Sequence, residues 1–238
     1  MIPPSLPPSA PNNPPLGQSA VEQVPITGLI ASIEAILRQP RRVLFQLRQA
    51  NSGSLIAVLL IIASVAGAIY GVIVGTFSGG DQLWAAPAKI VTGLLVSAFI
   101  CLPSLYIFSC LGGSQARLVE VCGLVAGLLA LMTVLLIGFA PVAWVFSQST
   151  EDVTAMGALH LLFWLIAVYF GLRFLYVGFG HFGDKPGGGL KVWMAIFVLV
   201  MFQMTTTLRP IVGQADTLLP AEKKFFLSHW LQCLKMQD

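Results

Sequence analysis

The feature that most constrains this chain is a series of apolar runs of bilayer length. Five stretches, at about 54–76, 88–110, 118–146, 157–179 and 190–208, are each near or above the ~20 residues with which one helix crosses a hydrocarbon core. Only 10% of the residues are charged, against roughly 25% in soluble domains, so a water-facing surface cannot be built around these runs. The pattern predicts an all-α polytopic membrane bundle with five transmembrane helices across residues 51–209. The third run exceeds the length of a crossing and contains Pro141, which predicts a kink or a protruding end.

The flanks have different chemistry. Residues 1–25 are proline-rich and lack apolar mass, which predicts a solvated, disordered tail. They contain neither the basic nor the apolar region of a signal peptide. Residues 26–50 place Leu29, Ile33, Ile36, Leu37, Leu44 and Leu47 at helical spacing, with arginines on much of the remainder and Pro40 breaking the pattern. This predicts one or two amphipathic helices at the membrane surface, with Arg38, Arg41, Arg42 and Arg48 meeting lipid headgroups. Packing against a soluble partner fits the same periodicity. Residues 210–238 read as an amphipathic tail, with Leu227, Trp230, Leu231 and Leu234 on one stripe.

Basic residues set the expected orientation. Arg38, Arg41, Arg42, Arg48, Arg117, Lys185 and Lys191 fall on one side of the alternating spans, and of the short connections only the first offers a cation, Lys89, to the other. The positive-inside rule then predicts a cytoplasmic N-terminal segment and an outside C-terminal tail, with a bacterial inner membrane as the simplest location. The net charge of +3 is small and forms no stripe, which points away from nucleic acid.

Chemistry-bearing motifs are sparse. The segment "GDKPGGG" contains lysine and glycine but no Gly-Lys-Ser/Thr, and it follows an apolar run rather than a strand. It therefore reads as a turn whose Lys185, with Lys191 just beyond, can touch headgroups. Ala63, Gly67, Gly71 and Gly75 recur every four residues in the first run and predict close helix packing, most simply within the chain. A weaker version occurs at Gly123 and Gly127. Arg173 lies inside the fourth run with Tyr169 and Tyr176 on a similar face. An arginine there either snorkels to an interface or lines a polar path. Gln203, Thr205, Thr206 and Thr207 can bond between helices, and Arg209 with Pro210 ends the fifth run. The four cysteines have no metal-ligand spacing, the three histidines are scattered, and no nucleophile motif is present, so neither an enzyme nor a cofactor is expected.

The stretch "LRQPRRVLFQLRQ" before the first of five spans resembles the corresponding region of bacterial Yip1-type membrane proteins, and the likeness covers roughly residues 27–208. That resemblance implies a cytoplasmic N-terminal segment followed by five spans. The D-L-Y-G-P-type motif of the eukaryotic members is absent, with "AIYGVIVG" in this chain, and no functional residue carries over. The ending "FQMTTTLRPIVG" is similar to that of some bacterial polytopic proteins. The leading expectation is a non-enzymatic scaffold or anchor in the bilayer, binding a protein partner or a second copy through its membrane helices. The alternative is a small transporter or channel subunit with a polar path near Arg173, Tyr169, Tyr176, Gln203 and Arg209.

Overall fold

The structure is a computed structural model and describes residues 15–78, 80, 82–150, 153–182 and 188–207. All regular structure among these residues is α-helical. A single turn, α1 (Ala20–Gln23), precedes two short helices, α2 (Leu29–Arg38) and α3 (Pro40–Leu47). Five longer helices follow: α4 (Gly53–Ser78), α5 (Gln82–Leu111), α6 (Leu118–Ser149), α7 (Val153–Phe182) and α8 (Gly188–Thr207). Four of them, α4 to α7, are long and apolar enough to cross a membrane. The apolar described part of α8, Gly188–Met204, is shorter than a full crossing, so among the described residues the fold is an all-α membrane bundle with four such helices where the sequence predicts five.

Helix α6 is the axis. Its residues from Glu120 to Met132 are buried almost without interruption, and α4, α5 and α7 surround it. The small-residue strip of α4 allows the closest approach. A methyl group added at Gly71 would come within 2.8 Å of Pro87 N on α5, whereas one at Gly67 would meet Val91 and Thr133 at 3.5 and 3.6 Å. Ala63 and Gly75 are buried on the same helix. α8 packs on α5, where Trp193 Nε1 donates to Cys101 O at 3.0 Å. Pro87 and Pro103 in α5, and Pro141 in α6, lie within continuous helices.

The amphipathic segment leaves Leu29 and Leu37 of its apolar stripe exposed and seats most of the rest in protein. Helix α2 ends at Arg38 and α3 begins at Pro40, whose fixed φ and missing N–H suit a first helical turn. The apolar faces of both helices are seated in the bundle: Ala35, Ile36, Val43, Leu44 and Leu47 are fully buried. Residues 15–25, expected to belong to a solvated tail, are instead placed against α3. Leu16 and Ile26 pack on the core, and Gly17, at φ 90°, faces the Phe45 ring. Residues 1–14, Lys185, Arg209 and the amphipathic tail at 210–238 lie outside the described residues.

Candidate functional site

Helices α1 to α3 form a cap on one end of the bundle, where α6 begins and α7 ends. The cap is seated on glycines. A Cβ at Gly123 would come within 2.5 Å of Leu47, one at Gly127 within 2.6 Å of Phe174 and 3.6 Å of Ile36, and one at Gly178 within 3.1 Å of Leu44. Missing side chains on α6 and α7 thus make the space that the apolar face of α2 and α3 occupies.

Three of the four arginines expected at headgroups are held by protein. Arg41 Nε donates to Glu22 Oε1 at 2.6 Å. Arg42 donates to Val24 O at 2.9 Å and Pro25 O at 3.0 Å, and Gln46 bonds both Val24 O and Ile26 N. Arg48 lies 5.6 Å over the Phe182 ring and reaches His181 O at 3.5 Å. Arg38 is paired with Glu34, one turn earlier on its own helix. Glu22 is 6% exposed. The Arg41 hydrogen bond holds its carboxyl below the ordinary range, with burial opposing and the Gly17 N–H assisting. A second clasp joins cap and bundle: Arg117 pairs with Glu120 at 3.1 Å, caps the start of α6, and donates to Arg48 O at 3.2 Å.

Arg173 and Tyr169 do not converge on a cavity. Both are on the outward face of α7, Tyr169 with 60% of its surface exposed, and Arg173 forms no hydrogen bond or ion pair with the described residues. Tyr176 is half-buried against the core. Gln203 is half-buried on α8, fifteen residues after Gly188, and is engaged within the protein. Arg173 is therefore in the capped half and Gln203 toward the opposite half. Lys191 is exposed near the start of α8.

The buried polar groups lie elsewhere. Tyr70 OH on α4 and His160 Nδ1 on α7 are 2.6 Å apart, and His160 is 6% exposed with Nε2 unpartnered among the described residues. Ser97 Oγ on α5 is likewise unpartnered. Lys89, expected near a connection, is instead buried within α5 and engaged in the protein. Polar side chains inside apolar runs were the available signal for Tyr70, Lys89 and His160, but a histidine's burial and partner depend on which helix lies opposite. No group of His, Cys, Asp and Glu suited to a metal occurs among the described residues. No protein family, curated protein or solved structure matches this chain.

Proposed function

We propose that this protein is a non-enzymatic membrane scaffold or anchor with five crossings, its capped end toward the cytoplasm, as Yip1-type proteins are arranged. The carrying observation is the seating of α2 and α3 on α6 and α7. Ile36, Leu44 and Leu47 fill the capped end of the bundle, where a transporter would open an aqueous vestibule. The outside of the cap keeps an apolar surface made by Val21, Val24 and Ile30, the last with 84% of its surface exposed. A partner protein fits this surface, because exposed apolar side chains beside charged residues are what interaction sites present. The fifth crossing is α8, whose 20 residues extend about 30 Å and whose start lies beside the end of α5. The positive-inside rule assigns the arginine-rich cap to the cytoplasm.

Photo-crosslinking from Ile30 in native membranes tests the partner surface. A discrete protein adduct is expected, and adducts to lipid alone would overturn the reading. Proteoliposome flux tests the rival transporter. The scaffold predicts leakage no greater than that of empty liposomes, and solute flux abolished by Arg173→Gln would establish the rival.

A further inference from the structure

The lengths of the helices fix where the bilayer sits. At 1.5 Å per residue α6 and α7 are about 48 and 45 Å long, against a hydrocarbon core of about 30 Å. The excess belongs to the capped end. Gly127, where Ile36 of the cap touches α6, is nine residues from the start of that helix, or about 14 Å. Arg173, adjacent to the Phe174 that packs on Gly127, is nine residues from the end of α7, again about 14 Å. From Gly127 to Phe146, after which α6 turns polar with Ser147, Gln148 and Ser149, is about 29 Å. On α7, from Ala155 to Arg173 is about 27 Å.

Measured from the polar end of α6, one hydrocarbon boundary falls at the level of Gly127, beside the Phe174 that follows Arg173. The other lies near Trp144 and Trp84, whose exposed indoles (52% and 82%) suit the interface. Arg173 is then not in mid-bilayer. It projects outward at phosphate depth, with no acidic partner among the described residues, beside the exposed Tyr169 and half-buried Tyr176. A guanidinium at that depth is complementary to a phosphodiester, which it can bond bidentately. Of the cap arginines, Arg41, Arg42 and Arg48 are engaged by Glu22, Val24, Pro25, Phe182 and His181, and Arg38 is paired with Glu34.

We propose that Arg173, at the outward face of α7, is a binding site for the phosphate of an anionic phospholipid. The proposal rests on immersion of the bundle in a bilayer and stands whether or not the protein is a scaffold. The test is native mass spectrometry of the full chain extracted from vesicles of equal parts phosphatidylcholine and phosphatidylglycerol. The wild type is expected to retain phosphatidylglycerol in preference to phosphatidylcholine. R173Q is expected to lower phosphatidylglycerol occupancy about five-fold, the effect of one arginine at an anionic surface, while R173K restores part of it. Q148A, at the opposite end of the bundle, is expected to leave occupancy unchanged. Equal retention of both lipids by the wild type overturns the site, as does undiminished phosphatidylglycerol on R173Q. Displacement of the lipid by inorganic phosphate would reassign the site to a free anion. Equal retention by the wild type would overturn the site even if R173Q fails to fold.

Discussion

Gly71 and Gly67 differ by one turn of α4 and should respond differently to a methyl group. At Gly71 the added carbon would press on the backbone of Pro87, which cannot move without shifting α5. Gly71→Ala is expected to destabilise the bundle by about 1–3 kcal/mol through overpacking. At Gly67 the neighbours are side chains at ordinary contact distance, so Gly67→Ala is expected to be near neutral. Thermal unfolding in detergent distinguishes the two, and equal effects would contradict the packing described. The Tyr70–His160 pair offers a second residue-level test. Tyr70→Phe leaves His160 buried with neither ring nitrogen bonded to Tyr70, at a cost of about 1–3 kcal/mol. Changing His160 to Phe in that background is expected to recover stability, because both polar groups are then gone. A further loss in the double variant would show that the histidine serves another contact.

At the scale of elements, the cap is held by two kinds of force, and each can be removed separately. Leu44→Ala and Leu47→Ala empty the seats above Gly178 and Gly123, and each should cost roughly 2–5 kcal/mol, read as faster hydrogen exchange across α2 and α3. The strap of residues 15–26 depends instead on a carboxylate. Because Arg41 depresses the Glu22 pKa in the folded state, the strap's ionic contribution is full above the ordinary carboxylate value of 4.5. It is lost as pH falls through the lower folded value. Proteolysis within residues 15–26 is therefore expected to rise in acid for the wild type, while Glu22→Gln should show the raised rate at neutral pH. A strap equally protected in both would remove Glu22 from its role. The sequence made α2 and α3 legible, since their periodicity and Pro40 are local facts. Their seat was not legible, because an apolar face reads the same whether it meets acyl chains or Gly123 and Gly127.

For the molecule as a whole, the bundle has a capped end and a bare end, and its helices alternate between them. Cysteines placed at Gln49 and Gln148 in a background without native cysteines are expected to label from opposite sides of sealed vesicles, Gln49 from the cytoplasmic side. Labelling of both from one side would break the alternation, and outside labelling of Gln49 alone would invert the orientation. The glycine-rich turn before α8 lies outside the described residues, as do Lys185 and Arg209. Among the described residues, the exposed basic side chains of the capped end are Arg38, Arg48, Arg117, Arg173 and Lys191. Of the polar residues predicted to share a path, the structure separates Arg173 from Gln203 by helix and by depth.

The amino-acid sequence by itself determined the helical membrane class, because runs of apolar residues near bilayer length have no other way to satisfy their backbone in lipid. It also determined the break at Pro40, and it placed the small residues of α4 at the spacing that close packing requires. Only the tertiary structure decided that α6 is the axis, that the cap is seated in protein, and that Arg41, Arg42 and Arg48 are engaged there. It alone turned Arg173 outward and joined Tyr70 to His160. The physical reason is that every face of a membrane helix is apolar. Periodicity therefore cannot say which face meets lipid and which meets another helix, and that choice is made by the complementary shapes of side chains distant along the chain.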